Sequence, residues 1–135
     1  MAGYSGKPLV QKLGIKTGMK LLLVNSPENY EQLLDGLPEN TVQVKDKTST
    51  VDFIHIFVKK ISELEAFLPQ SRKRLAQDGM IWISWYKKSS GIPTDVTEDI
   101  IRATAFPLGL VDVKVCAVDD QWSGFKLVIR KINRK

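Results

Sequence analysis

The residue types that most often carry out catalysis are scarce in this 135-residue chain, which has one histidine and one cysteine. His55 lies in the apolar stretch 53–58, where a core histidine held by one hydrogen bond is expected rather than a general base. Cys116 cannot form an internal disulfide, and it favours a reducing, cytoplasmic setting. A nucleophilic pair of Cys116 and His55 stays open, because both residues lie in predicted strands.

Several site classes are excluded by what the sequence lacks. One histidine and one cysteine cannot assemble a thiolate or histidine-rich metal site, so no metal is expected. The chain has no G-x-x-x-x-G-K-[ST] phosphate loop and no G-x-S-x-G turn for a serine nucleophile. Its longest apolar runs are too short to cross a bilayer, and its first residues lack the apolar core of a signal peptide. No membrane partner is expected.

A short polar segment could bind an anion. Lys87 and Lys88 precede two serines and Gly91, and Trp85 or Trp122 could supply an apolar or stacking wall. In open parallel sheets, ligands bind outside the carboxyl ends of the strands. The candidate ligand-binding residues at that edge are Asn25, Ser26, Trp85, Lys87, Lys88, Ser89, Ser90, Asp119 and Trp122. The alternative is a solvated loop with tryptophans packed in the core.

The elements that would position these residues follow from periodicity and turn residues. Strands are predicted at 19–24, 41–45, 53–58, 80–86, 110–118 and 125–132. Helices are predicted at 9–13, from Asn25 or Ser26 as cap to about residue 37, from Ser62 to Asp78–Gly79 with a kink or break at Pro69, and from Thr94 as cap to residue 108. The alternation predicts one α/β domain over residues 1–135, with 1–18 as an arm and short helix. Its three layers enclose a mostly parallel sheet whose last strand is antiparallel.

Charge is concentrated at the two ends of the chain. The net charge is +5, residues 1–20 and 121–135 contain no acid, and residues 21–120 carry a net charge of −4. The first strand begins and the antiparallel last strand ends at the same sheet edge, which would collect Lys16, Lys20, Arg130, Lys131, Arg134 and Lys135. Such a basic edge could attract nucleic acid or an acidic partner, although terminal lysines usually serve solubility.

Two segments resemble a known fold family. Leu13–Lys20 leads into the first strand, and Gln77–Trp82 leads into the strand before the last helix. With the antiparallel pair at the end, this pattern is similar to the Rossmann-like fold of S-adenosylmethionine-dependent methyltransferases. The resemblance implies a six-stranded sheet of order 2-1-3-4-6-5, with one helix–strand unit missing after the second strand.

A closer resemblance covers the chain from end to end. The strings concerned are Met1–Gly6, Lys87–Gly91, Pro93–Asp95, Val111–Asp119 and Trp122–Gly124. They resemble a small bacterial family of uncharacterised proteins. That likeness implies the fold and brings no established activity.

The methyltransferase likeness implies a cofactor loop that this sequence does not repeat. Such enzymes place a glycine-rich turn after the first strand and an acid near the end of the second, which holds the ribose hydroxyls. Here the turn reads Asn25-Ser26-Pro27-Glu28-Asn29 without glycine, and Asp46 stands near the acid's place. Three hypotheses follow: a non-catalytic or degenerate methyltransferase-like domain that binds a small anion or a protein partner; a minimal methyltransferase that uses S-adenosylmethionine; and a nucleic-acid-binding module that uses the basic edge. The first is preferred, with no cofactor expected.

Overall fold

The computed structural model describes residues 8–46 and 48–134, so the predicted arm at 1–7 and Lys135 lie outside the described residues. Six strands in these residues form one sheet: β1 (Lys20–Val24), β2 (Val42–Gln43), β3 (Val51–Phe57), β4 (Leu75–Tyr86), β5 (Leu110–Ala117) and β6 (Trp122–Ile129). The α-helices are α1 (Leu9–Leu13), α2 (Tyr30–Leu34), α3 (Ile61–Arg74) and α4 (Glu98–Ala105). None of the described helices is long and apolar enough to cross a membrane.

The sheet has the predicted order β2-β1-β3-β4-β6-β5. β1 pairs in parallel with β2 and β3, and β3 pairs in parallel with β4. β6 runs antiparallel to both of its neighbours, β4 and β5. The three-layer α/β fold and the reversed last strand are therefore confirmed, and the carboxyl ends of β1, β3 and β4 meet at one edge.

Two apolar cores lie on opposite faces of the sheet. One contains α1 and α2 packed on side chains such as Phe53, Phe57 and Trp82. The other contains α3 and α4 packed on the opposite faces of the same strands. β3 is buried on both faces, which is what its nearly uninterrupted apolar sequence predicts for a central strand of a parallel sheet.

Trp82 fixes α1 on its face of the sheet. The indole is fully buried, and its Nε1 donates a hydrogen bond of 2.8 Å to the carbonyl oxygen of Leu13 at the end of α1. A Cβ at Gly124, on the neighbouring strand, would lie 3.1 Å from the Trp82 ring. The glycine therefore leaves the space that the indole occupies.

The predicted start of α2 is wrong. Neither Asn25 nor Ser26 caps the helix, which begins at Tyr30 after Asn29. Asn25 instead takes a left-handed backbone conformation with φ of 59°, which asparagine tolerates better than most residues. The side chain of Asn25 is used elsewhere, as described with the site below.

The prediction for the segment 62–79 is also corrected. α3 runs from Ile61 to Arg74 as one helix through Pro69, because its buried leucines hold it against the sheet despite the missing backbone donor. The Asp78–Gly79 turn does not end this helix but lies within β4, whose pairing with β3 shifts register between Val51 and Phe53. At Gly79 a Cβ would come within 2.8 Å of the Asp52 carbonyl oxygen.

The N-cap of α4 is Thr97 rather than the predicted Thr94. The Thr97 hydroxyl accepts a hydrogen bond from the backbone N–H of Ile100, which satisfies a free donor of the first turn. Both threonines precede acidic residues, so the sequence pattern fits either position. The helix passes at its carboxyl end into a 3-10 turn that Gly109 closes, as predicted.

His55 is a core residue held by two hydrogen bonds rather than the single one expected. Its Nδ1 lies 2.8 Å from the Tyr30 hydroxyl and its Nε2 lies 2.6 Å from the Ser84 hydroxyl. All three groups are buried. Burial lowers the pKa of His55 from 6.5 to about 3 and raises the pKa of Tyr30.

We predict an acid sensitivity that comes from His55. The unfolded chain binds a proton at this residue below about pH 6.5, whereas the folded protein does not until about pH 3. The free energy of unfolding should therefore fall as the pH is lowered through this window, by up to about 1.4 kcal/mol per pH unit. Urea unfolding followed by tryptophan fluorescence between about pH 6 and about pH 4.5 measures this slope. The range lies above the ordinary pKa of aspartate, so aspartate protonation contributes little to it.

The His55→Gln variant is the control, because glutamine keeps hydrogen-bonding groups but does not titrate. It should be less stable at neutral pH and show a flatter dependence on pH. Parallel pH profiles for the two proteins would contradict the assignment.

Candidate functional site

An open groove of about 1000 Å³ lies at the carboxyl edge of the sheet, beside the end of β4. Four of the predicted ligand-binding residues line it: Trp85, Lys87, Lys88 and Ser89. Trp85 is almost fully buried and packs edge-to-face on Phe125, so that it forms a firm apolar base. The structure thus brings the two lysines and one tryptophan together around one space.

The loop that forms the outer wall, residues 87–97, is anchored to the rest of the domain. The Thr94 hydroxyl donates to the Lys59 carbonyl oxygen at 2.8 Å, and the Asp95 carboxylate accepts from the Ile61 backbone N–H at 2.9 Å. The side chain of Val96 between these residues and α4 is buried. These attachments fix the position of the outer wall, and small-molecule sites are usually preformed in this way.

The base of this loop is a tight turn. The hydroxyl of Ser90 donates to the Lys87 carbonyl oxygen at 2.6 Å and accepts from the Ile92 backbone N–H at 3.1 Å. Gly91 follows in a left-handed conformation with φ of 74°. Ser90 therefore shapes the loop and is not among the residues that line the groove.

Acidic residues form the far wall of the groove. Glu98 and Asp99 begin α4 and line the space opposite the lysines. Both carboxylates pair with the guanidinium of Arg102, at 3.5 Å and 3.2 Å. The same guanidinium also lies 3.4 Å from the Asp112 carboxylate. Arg102 therefore partly compensates the negative charge of the far wall.

Two further predicted residues, Asp119 and Trp122, lie outside the groove. The Asp119 carboxylate accepts two hydrogen bonds of 2.8 Å from the backbone N–H groups of Gln121 and Trp122, and so stabilises the turn between β5 and β6. Trp122 stacks on Tyr86 and packs edge-to-face on Phe57, on the sheet face opposite Trp85. The tryptophan is a core residue of that face.

Hydrogen bonds from neighbouring residues at the carboxyl edge of the sheet fill the turn after β1. Asn25 Nδ2 donates to the Phe57 carbonyl oxygen at 3.0 Å and lies 3.4 Å from Glu63 Oε2. The other oxygen of Glu63 accepts from the backbone N–H groups of Lys59 and Lys60, at 2.6 Å and 3.2 Å. This network joins the carboxyl ends of β1 and β3 to the start of α3. Ser26 follows Asn25 but does not line the groove.

Asp46, near the end of β2, is also engaged within the protein. Its carboxylate accepts from the backbone N–H groups of Thr48 and Ser49 at 3.0 Å and 2.7 Å, and pairs with Arg74 at 3.2 Å. The hydrogen bonds of Ser49, side chain and backbone, are the main causes that lower the Asp46 pKa to about 2. The carboxylate holds the turn that leads to β3.

These two places depart from the methyltransferase pattern for S-adenosylmethionine. The first turn carries a side chain in place of a glycine, and Pro27 removes one backbone donor there. The acid expected to hold a ribose is bound to a turn and to Arg74. Within residues 8–46 and 48–134, no group of three His, Cys, Asp or Glu residues is placed to hold a metal ion.

The predicted basic edge is spread over the opposite edge of the sheet. Lys16 and Lys20 lie at the start of β1, three strand positions away from the end of β6. The carboxylate of Asp52 accepts from the Lys20 backbone N–H between them, at 2.9 Å. At the far end, the Arg130 guanidinium stacks on Phe106, with 4.2 Å to the ring centroid, and Arg134 bonds the Ile129 carbonyl oxygen. Lys131 begins the exposed 3-10 turn between these two arginines.

The pair of Cys116 and His55 is not assembled. Their strands are separated by β4 and β6, which corresponds to about 14 Å at the usual strand spacing. Burial raises the pKa of the Cys116 thiol, and the nearby Lys12 and Lys114 lower it less. The thiol is therefore not activated by a base.

Sequence reasoning missed the residues that hold the edge together, chiefly Glu63, Thr94 and Asp95. Glu63 has a visible signal, because an acid three residues into a helix commonly accepts from free backbone donors of the first turn. The bonds of Thr94 and Asp95 join segments more than 30 residues apart, and local patterns carry no sign of such contacts.

Solved structures similar to this chain include several methyltransferases. A SAM-dependent methyltransferase from Aquifex aeolicus has a TM-score of 0.57 at 16% identity, covering 90% of this chain and 87% of that chain. A DhpI–SAH complex has a TM-score of 0.59 at 13% identity, with 96% and 86% covered. The ribosomal protein L11 methylase from Lactobacillus delbrueckii subsp. bulgaricus has a TM-score of 0.57 at 13% identity, with 90% and 75% covered. At these identities the likeness shows the Rossmann-like methyltransferase fold alone.

The sequence itself gives a family. A search of curated proteins found no match. A family model matches residues 11–131, which is nearly the whole chain. The chain therefore belongs to the family described as "Protein of unknown function (DUF3052)".

Proposed function

We propose that the protein is a catalytically degenerate, methyltransferase-like domain that binds a small anionic ligand in the groove beside Trp85. The observation that carries the proposal is the joint placement of Lys87, Lys88 and Ser89 around one open space at the carboxyl edge of the sheet. This edge is where open α/β sheets bind ligands.

The chemistry of the groove favours an anion with an apolar body. Two ammonium groups and a hydroxyl can meet a phosphate or carboxylate. Trp85, Ile92 and Val96 line the same space and can cover an apolar part of the ligand. Glu98 and Asp99 disfavour a second anionic group at the far wall, because like charges repel across a shared site.

The loss of cofactor binding is supported by the closed turn after β1. The network of Asn25, Phe57 and Glu63 uses the polar groups that face this turn. Asp46 is likewise committed to its own turn and to Arg74. A ligand of the size of S-adenosylmethionine would have to break these contacts to bind in the manner the fold family implies.

Neutralising the two groove lysines should weaken anion binding. In the Lys87→Ala/Lys88→Ala variant, inorganic phosphate, AMP and ATP should give less thermal stabilisation than they give to the parent protein. The stabilisation amounts to about 2.7 kcal/mol at a hundred times Kd, which is a shift of several degrees at this size. We expect the apparent Kd of the tightest of the three probes to rise by about tenfold or more. The measurement is a melt at increasing probe concentration.

The matched control is Lys45→Ala/Lys73→Ala, which removes two charges from exposed lysines outside the groove. It should keep the stabilisation of the parent protein. Equal loss in both variants would mean that net charge alone is responsible. Absence of any shift in the parent protein with all three probes up to about 10 mM would contradict anion binding in the groove.

The alternative is a minimal methyltransferase, and it is favoured by the fold alone. The DhpI–SAH structure shows that a similar fold binds S-adenosylhomocysteine in that protein. If this domain does the same, S-adenosylmethionine and S-adenosylhomocysteine should raise its melting temperature, and Asn25→Gly should strengthen that effect by restoring a glycine in a left-handed position. We expect no shift with either compound in the parent protein. A saturable shift would overturn the proposal.

A further inference from the structure

Four lysines meet on the face of the sheet that carries α1. Lys114 on β5 and Lys126 on β6 are directly paired across the antiparallel strands, so their side chains leave the same face. Lys126 also pairs with Trp82, whose indole holds the end of α1 on this face. We call the set the lysine face: Lys12, Lys16, Lys114 and Lys126.

Contacts between α1 and the sheet bring the remaining two lysines to this pair. The Lys114 ammonium lies 3.4 Å from the Lys12 carbonyl oxygen. Lys16 follows the end of α1 by three residues. The pKa of Lys126 is lowered mainly by burial and also by the nearby charges of Lys114 and Lys16, so Lys16 lies close to this pair. Lys16 and Lys114 are exposed, and the other two are half-buried.

None of these four ammonium groups has an ion-pair partner among the described residues. Like charges placed directly opposite each other on paired strands destabilise a sheet. A side chain such as threonine at either position would avoid this cost and suit a strand better. An uncompensated cluster of this kind is therefore suited to an external anion.

We propose that the lysine face binds the phosphodiester backbone of a nucleic-acid duplex. Lysine ammonium groups are point charges that contact phosphates without base selection. Phe106 is an exposed aromatic residue among the described ones, but the Arg130 guanidinium stacks on its ring. None of the four lysines is itself next to a stacking ring of this kind, so the geometry does not favour single strands. A duplex presents its phosphates on the outside at high charge density.

This surface is separate from the groove and from most of the basic edge. Trp85 and the groove lie toward α3 and α4, whereas the lysine face lies on the α1 side of the sheet. Lys16 is the residue that it shares with the basic edge. The proposal therefore does not depend on the proposed anion site.

The test is fluorescence anisotropy of a labelled DNA duplex of about 20 base pairs with the full chain. Four phosphate contacts give a slope of log K against log salt of about −3.6, which is a loss of affinity of about 100-fold between 50 mM and 200 mM salt. In Lys114→Gln/Lys126→Gln, the slope should become shallower by about 2 and binding at 50 mM should fall by about tenfold or more. Its melting temperature should not decrease, because the like-charge pair is removed.

The matched control is Lys45→Gln/Lys59→Gln, which has the same net charge and leaves the lysine face intact. It should bind the duplex with the affinity and slope of the parent protein. The proposal is overturned if the parent protein does not bind the duplex at 50 mM salt, or if the control loses as much affinity as the test variant. It is also overturned if a polyglutamate peptide of equal charge displaces the labelled duplex as well as unlabelled duplex does.

Discussion

The hydrogen bonds of Glu63 and Asn25 join β1, β3 and α3 at the carboxyl edge of the sheet, and the rest of the site depends on them. Glu63 accepts from two backbone donors at the start of α3, and Asn25 reaches from β1 to the last residue of β3. The two strands and the helix are thus tied at the point where a Rossmann-like fold receives its ligand. Polar groups that could receive a cofactor are used to hold the domain together.

The part of the same edge beside β4 is open, because the chain that follows β4 turns away from the sheet. After β4 the loop 87–97 moves away from the sheet and is fastened to α3 by Thr94 and Asp95. The space behind this loop becomes a groove with lysines on one wall and the start of α4 on the other. A fold shared with methyltransferases therefore carries its candidate site beside β4 rather than at the turn after β1.

The buried central strand and the reversed last strand were predictable because they depend on apolar periodicity and on chain connectivity. The sheet order followed only from the resemblance to methyltransferases. The starts of α2 and α4 were not, because Asn25 and Thr94 have typical capping side chains that are used in contacts over 30 residues away. Trp85 and Trp122 are equally apolar in the sequence, and only strand register places the first at the groove and the second in the opposite core. The lysine face was missed because its pairing of Lys114 with Lys126 requires the register between β5 and β6, including its bulge.

The carboxyl edge of the sheet is closed by hydrogen bonds at β1 and open at β4. Amide chemical shifts of ¹⁵N-labelled protein test this difference residue by residue. During titration with S-adenosylmethionine, signals of residues 25–29 and 57–63 should stay unchanged, whereas AMP should move signals of residues 85–99. Saturable shifts at residues 25–29 with S-adenosylmethionine would contradict the account and show that the closed turn opens for the cofactor.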